Sequence, residues 1–204
     1  MKIKQLENST FTALKEKFGY KNKLEAPRLV KIVVNVGIGS IKDKKKQDLI
    51  PDRLAKITGQ KASPRGAKLS IASFKVRQGE IVGHQVTLRG QRMYDFLEKF
   101  LNVSIPRTRD FRGIPSKSID EMGNYTVGIK EHIIFPETVD EELKDIFGMS
   151  ITFVTTSSKK EETKAFLEHL GFPFKKAVTE AEEALEKKSR KRERKAKVEK
   201  PEAK

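Results

Sequence analysis

The stretch that decides the fold runs from residue 28 to residue 36 and reads RLVKIVVNV. Apolar and more polar residues alternate along it with the period of a β-strand, in which successive side chains point to opposite faces. One predicted face carries the apolar side chains of Val30, Ile32, Val34 and Val36. The other carries Lys31, Val33 and Asn35. The stretch is therefore predicted to be a strand with one face in a core and one mostly polar face.

Three further stretches show the same split and make a sheet the centre of the predicted fold. Residues 82–89 place Val82, His84, Val86 and Leu88 on one side and Gln85, Thr87 and Arg89 on the other. Residues 125–129 and 149–155 alternate in the same way. Strands that are apolar on one face only are typical of antiparallel or mixed sheets with one uncovered face.

Helical spacing marks the elements that would cover the apolar face. Met93, Phe96, Leu97, Phe100 and Leu101 predict an amphipathic helix that ends near Pro106. Further helices are predicted at 6–18, closed by Gly19, at 52–58 with Pro51 at the start, and from 158 to 170, where Ser158 and Glu161 have capping-box spacing. The predicted class is α+β: an open antiparallel or mixed sheet with helices on one face and a polar other face.

The composition favours a nucleic-acid partner over a metabolite. The 204 residues carry 43 Lys and Arg against 28 Asp and Glu, which gives a formal net charge of +15. Such an excess of positive charge is typical of proteins that bind polyanions. There is no cysteine, which excludes disulfides and thiolate metal sites.

The sequence is predicted to be cytoplasmic, without a membrane span or a secretory signal. Its longest run without a charged residue, 146–158, is shorter than the roughly 20 apolar residues of a spanning helix. Residues 177–204 hold 10 Lys and Arg, 7 Asp and Glu and few large apolar residues. A single α+β domain is therefore predicted over 1–176, followed by a charged tail, disordered or helical, over 177–204.

The polar face of the predicted sheet is the first candidate site. It presents Lys31, Asn35, Gln85, Thr87 and Arg89, which suit phosphates, 2′-hydroxyls and base edges. No aromatic side chain shares that face, so stacking on unpaired bases is not expected. The pattern indicates recognition of structured RNA by its shape, although a solvated outer face would give the same alternation.

Two basic segments outside these strands are the second candidate. One holds Lys61, Arg65, Lys68, Lys75 and Arg77, and the other holds Arg107, Arg109 and Arg112 around Phe111. Both are predicted to be loops that contact RNA, with plain solvated surface as the alternative. Within the first, residues Phe74 to Gly83 are predicted to form a loop between strands that displays Phe74, Lys75, Arg77, Gln78 and Gly79.

Catalytic and metal-binding motifs are weak. Residues 37–40, Gly-Ile-Gly-Ser, lack the third glycine of a dinucleotide loop and the Gly-Lys-Ser/Thr of a nucleotide-binding loop, so a plain turn after a strand is predicted. His84, His132 and His169 are far apart in sequence, and His84 falls on the core side of its strand. No catalytic residue, metal, cofactor or small-molecule substrate is predicted. A free-standing basic RNA-binding or RNA-processing enzyme stays open as the alternative function.

A series of short strings, in order along the chain, resembles one known family. The strings are FGY (18–20), PRL (27–29), KIVVN (31–35), ITGQK (57–61), VTLR (86–89), RDFRG (109–113), GNY (123–125), IFPE (134–137), VTT (154–156) and LGFPF (170–174). Over roughly residues 10–176 the chain resembles the family of bacterial large-subunit ribosomal proteins that is number five in its series, the 5S rRNA-binding proteins of the central protuberance.

That resemblance implies a structural protein of the ribosome. Its partners would be 5S rRNA, a helix of the large-subunit rRNA, peptidyl-site tRNA and, across an intersubunit bridge, a protein of the small-subunit head. The family's RNA-contacting residues match Asn35, Gln60, Thr87 and Arg89 here, and its tRNA loop matches Phe74 to Gly83. The chain departs from the family pattern at Pro51, at Ile81 and at Glu121-Met122.

Overall fold

The computed structural model describes residues 2–39, 41, 43–109, 111–138 and 146–175; the predicted tail, 177–204, lies outside them. The helices are α1 (Lys2–Phe18), α2 (Lys44–Thr58), α3 (Gln91–Lys99) and α4 (Lys160–His169). The strands are β1 (Leu29–Gly37), β2 (Ser63–Gly66), β3 (Ile81–Leu88), β4 (Tyr125–Ile129) and β5 (Met149–Thr155). A π-helical turn, Phe100–Ser104, continues α3.

The strands form one antiparallel sheet in the order β2-β3-β1-β5-β4. β1 lies at the centre, and its pairing sets Val34 opposite Val86 of β3 and Ile151 of β5. All three side chains are buried, since they lie on the same side of the sheet and face the core. The predicted α+β class with an open antiparallel sheet is confirmed, and β4 and β5 have the predicted bounds.

The helices cover the apolar side of the sheet. Met93, Phe96 and Leu97 of α3 are buried, as the helical spacing predicted. Phe153 of β5 packs against the turn that continues α3, with its ring centroid 5.7 Å from that of Phe100. One hydrophobic core therefore supports the sheet from one side, while the described residues leave its other side uncovered.

The start of β1 departs from the predicted alternation. Val30 is 44% exposed and does not lie in the core. The pairing of β1 with β5 shifts between Leu29 and Lys31, which marks a β-bulge. The extra residue in the bulge reverses which side chains point to the core before Lys31, so Leu29 is buried and Val30 is not. The prediction for Val30 was therefore wrong.

The first basic segment is not entirely loop, contrary to the prediction. Residues 63–66 form β2, an edge strand in which Ser63 pairs with Gln85 of β3. All four residues are exposed, and one of them is Pro64, which an edge strand tolerates. An exposed edge strand has no apolar face, so hydrophobic alternation cannot reveal it. The predicted loop over 74–83 is also too long, because β3 begins at Ile81.

Helix α2 begins at Lys44, well before the predicted start at Asp52. Pro51 therefore lies in the helix interior, where it has no N–H to donate to the carbonyl oxygen of Gln47. The helix continues because its buried face spans both sides of the proline. That face consists of Ile50, Leu54 and Ile57, each at most 1% exposed.

The two remaining helices differ from the predictions at their first residues. α1 extends back to Lys2 because Ile3 is buried and adds a turn to the core. α4 begins after Lys159 without a side-chain cap, so the predicted capping box of Ser158 and Glu161 was wrong. Ser157 takes that place: its Oγ accepts from the Lys159 N–H at 3.3 Å and donates to Glu162 at 2.7 Å.

Candidate nucleic-acid interface

Small polar side chains occupy the uncovered side of the sheet, called here the polar face. The strand register sets one row across all five strands, consisting of Ser63, Gln85, Asn35, Ser150 and Gly128. Each of these residues is half-buried or exposed. Neighbouring strands lie about 4.8 Å apart, so the four steps make a row about 19 Å long. The row therefore places four polar side chains side by side and ends at a glycine.

A second row runs beside the first and consists of Thr87, Val33, Thr152 and Thr126. The hydroxyl oxygens of Thr126 and Thr152 lie 3.0 Å apart and share a hydrogen bond. If the register of β1 and β3 is continued past Leu88, Arg89 falls opposite Lys31. The face therefore changes from small neutral groups at its centre to two cations where β3 ends.

Hydrogen bonds within the polar face order some of its groups and leave others available. Arg65 Nε donates to Gln85 Oε1 at 2.7 Å, which ties β2 to β3 on this side of the sheet. Within the described residues, the side chains of Lys31, Asn35 and Arg89 make no hydrogen bond and no ion pair. Their donors can therefore bind a ligand without breaking a contact inside the protein.

Gln60 reaches the polar face from the turn that follows α2. Gly59 ends the helix in the left-handed region at φ 68°, which glycine adopts without strain. Gln60 Nε2 then donates to the backbone carbonyl of Thr87 at 3.3 Å. The structure thus brings together the five residues predicted for the 5S rRNA site: Lys31, Asn35, Gln60, Thr87 and Arg89.

The loop between β2 and β3, residues 67–80, extends from one edge of the sheet. Gln78 N–H donates to Ser70 Oγ at 2.9 Å, and Gly79 N–H donates to the Ala67 carbonyl at 3.0 Å, so the loop is internally ordered. Phe74, near the middle of the loop, is 73% exposed. The next residue, Lys75, has a backbone conformation in the left-handed region, at φ 54°. The predicted loop residues Phe74, Lys75, Arg77, Gln78 and Gly79 are all exposed.

The other predicted basic contacts lie at both edges of the sheet. Lys61, Arg65 and Lys68 are exposed on or beside β2, next to the polar face. Arg107, Arg109 and Arg112 follow the turn after α3, and the last two line a groove along β4 at the opposite edge. The structure therefore joins the first basic group to the polar face and does not join the second.

Four polar-face residues were not among the predicted site residues. They are Ser63, Ser150, Thr152 and Thr126. The alternation in β4 and β5 already put three of them on the polar side of their strands. Their places in the two rows that contain Asn35 and Thr87 could not be predicted, because the rows depend on which strands are neighbours.

Two of the histidines have structural roles in the core. His84 is 8% exposed on the core side of β3, as predicted, and burial lowers the pKa of its imidazole. The fully buried His132 ring stacks on Phe147 with centroids 4.0 Å apart. In the described part of the chain, no group of three or more His, Asp or Glu is placed to hold a metal ion. No helix there is both long and apolar enough to cross a membrane.

Comparison with known proteins assigns the family. Residues 22–77 match the family model of ribosomal protein L5, and residues 81–174 match the model of the C-terminus of the same ribosomal protein family. The large ribosomal subunit protein uL5 of Carboxydothermus hydrogenoformans is 47% identical over 169 residues, which cover 82% of this chain and 94% of that protein. The protein of the same name from Natranaerobius thermophilus is 51% identical over 162 residues, covering 79% and 90%.

These matches span the polar face, the β2–β3 loop and the core that supports them. The chain is a ribosomal protein, with a structural and not an enzymatic role. It belongs to the uL5 family of large ribosomal subunit proteins. The resemblance found in the sequence is confirmed, and the alternative of an RNA-processing enzyme was wrong.

Proposed function

We propose that this protein is a constituent of the large ribosomal subunit that binds 5S rRNA through its polar face. The observation that carries the proposal is the row of polar side chains contributed by four neighbouring strands, which ends at Gly128 of the fifth, on an uncovered sheet. An A-form RNA helix has a wide, shallow minor groove that displays 2′-hydroxyls and base edges. Short amide and hydroxyl side chains on a flat support are suited to that surface.

The side chains on the polar face favour a folded RNA over a single strand. Proteins that read single strands stack the bases on aromatic side chains, and none of the outward-facing positions of the five strands is aromatic. The cations lie at the border of the face, with Lys31 and Arg89 at one end and Arg65 on the β2 edge. In that position they would bind the phosphates on either side of the groove, while Asn35 and Thr87 bind inside it.

A second RNA contact is proposed for the β2–β3 loop. Its exposed Phe74, Lys75 and Arg77 project from the sheet edge, away from the centre of the polar face. Such a loop can bind a different RNA while the sheet stays occupied. Family membership supports peptidyl-site tRNA as that RNA, with a helix of the large-subunit rRNA and a small-subunit head protein as further partners.

A pair of neighbouring arginines supplies the sharpest test. Arg89 follows β3 on the polar face, whereas Arg92 lies on α3, and both are exposed. Arg89→Ala is expected to weaken 5S rRNA binding 5- to 150-fold, which corresponds to the roughly 1–3 kcal/mol of a lost charge-assisted hydrogen bond. Arg92→Ala removes the same charge and is expected to change the affinity less than threefold. Binding is measured by filter retention at several salt concentrations.

Two neutral variants complete the test. Asn35→Ala and Thr87→Ala are expected to weaken binding over a similar range without unfolding the domain, because both side chains are accessible on the polar face. Equal losses for Arg89→Ala and Arg92→Ala, with no loss for either neutral variant, would show that binding depends on net charge alone. The polar face would then be solvated surface and the proposal wrong.

A further inference from the structure

An apolar groove runs along the outer edge of β4, between that strand and residues 105–109 and 111–115. It encloses about 530 Å³ and is called here the edge groove. Its floor contains the buried side chains of Phe100, Ile105, Ile114 and Ile134. β4 is the last strand on its side of the sheet, and in the described part of the chain its outer edge is bridged by Ile119 at Tyr125 and is joined by no further strand. An uncovered edge of this kind is a place where a further segment of chain can add.

The rim of the edge groove is basic. Among the described residues that line it, four are cationic and one, Glu131, is acidic. The cations are Arg109, Arg112, Lys130 and Lys175. Charge complementarity therefore favours an occupant that carries carboxylates, and the apolar floor favours one that also carries aliphatic side chains.

The chain itself enters the edge groove where its described part ends. Phe174 pairs in parallel with Ile114, and Lys175 N–H donates to the Ile114 carbonyl at 3.0 Å. A Cβ on Gly113 would lie 3.0 Å from the Lys175 backbone nitrogen, so the two segments pack closely. The described part of the chain therefore ends inside the groove.

We propose that the start of the tail, residues 177–186, binds in the edge groove. This segment reads AVTEAEEALE, with four glutamates, no cation, and Val178 and Leu185 as its large apolar residues. Ten residues can extend over roughly 33 Å, whereas the five residues of β4 span about 17 Å. The segment has the charge, the apolar residues and the reach that the groove requires.

The segment fits the edge groove better than RNA does. RNA would satisfy the cations of the rim but would leave the aliphatic floor without an apolar partner. The tail also starts at the groove, so its local concentration is in the millimolar range and no separate encounter is needed. Binding of 177–186 would leave residues 187–200, with 9 positive and 2 negative charges, to project from the opposite edge of the sheet from β2.

Hydrogen exchange on the full chain tests the proposal. Amide exchange over residues 125–131 is compared between the natural chain and a variant with Glu180→Gln, Glu182→Gln, Glu183→Gln and Glu186→Gln. Exchange is expected to be at least fivefold faster in that variant. The matched control is Glu193→Gln with Glu199→Gln, which makes the same chemical change in the basic half of the tail and should leave exchange unchanged. A variant with Val178→Ser and Leu185→Ser, which keeps every charge, should also exchange faster.

Three results would overturn the proposal. The first is equal exchange over 125–131 in all four proteins. The second is protection of β4 that increases with protein concentration, because a second copy of the chain would then fill the groove. The third is protection that requires added 5S rRNA and is indifferent to the four glutamates, because the occupant would then be RNA.

Discussion

Pro51 in the interior of α2 leads to a quantitative prediction about stability. A proline in a helix interior is about 3 kcal/mol less favourable than alanine, since it removes one backbone hydrogen bond and crowds the preceding turn. Against this, proline restricts the unfolded chain by roughly 0.4–1 kcal/mol. Pro51 is half-buried, so replacing its ring also loses some apolar contact. Pro51→Ala is therefore expected to stabilise the fold by about 1.5 kcal/mol.

Thermal unfolding followed by circular dichroism measures this change. For a domain of this size, about 1.5 kcal/mol corresponds to a rise of roughly 3–6 °C in Tm. Lys56→Ala is the control in the same helix: Lys56 is exposed and its ion pair with Asp52, 3.3 Å long, lies in solvent. That variant is expected to change stability by less than about 0.5 kcal/mol. A lower stability of Pro51→Ala would refute the reasoning, because the ring would then contribute more through packing than it costs the helix.

Two further predictions concern the β2–β3 loop and the core histidine. Lys75→Ala combined with Arg77→Ala is expected to leave 5S rRNA affinity within about threefold, less than one charge-assisted hydrogen bond, while assembled ribosomes hold peptidyl-site tRNA less firmly. A large loss of 5S rRNA binding would instead place the loop in the 5S interface. Burial lowers the pKa of His84, so the unfolded chain takes up a proton at about pH 6.5 that the folded chain takes up only at lower pH. The free energy of unfolding of the native protein is therefore expected to fall, relative to that of His84→Gln, as pH falls from 7.5 to 5. Urea unfolding of both proteins measures it, and the same difference between them at both pH values would contradict the prediction.

The sequence predicts the polar face well because alternation is a local property. Lys31, Asn35 and Thr87 are predicted to point away from the core because the residues next to them in sequence are apolar. The structure confirms this, since at least one apolar neighbour of each is buried. By contrast, the order of the strands depends on contacts between distant parts of the chain. For that reason alternation identified Ser150 and Thr126 as polar positions but could not set them in rows with the residues of β1 and β3.

Three features escaped sequence reasoning for separate physical reasons. β2 has two exposed faces and therefore no hydrophobic period. The bulge at Val30 arises where β1 pairs with β5, and no residue type in β1 predicts it. Helix α2 continues through Pro51 because buried packing on both sides outweighs an unfavourable local propensity. In each case contacts with distant parts of the chain determine the backbone conformation, and the local sequence does not.

The rigidity of the polar face follows from what lies beneath it. Val34, Val86 and Ile151 are each at most 1% exposed. Along their strands they are the neighbours of the polar residues Asn35, Gln85 and Ser150. Shifting the backbone at Asn35 would pull Val34 out of a close-packed core, so the spacing of the polar row is fixed by the strand spacing. Short side chains such as those of Ser150 and Thr87 also have few rotamers to lose on binding. RNA affinity at the centre of the face should therefore come from preorganised neutral contacts. Asn35→Ala should then lower affinity without changing its salt dependence, whereas Arg89→Ala should change both.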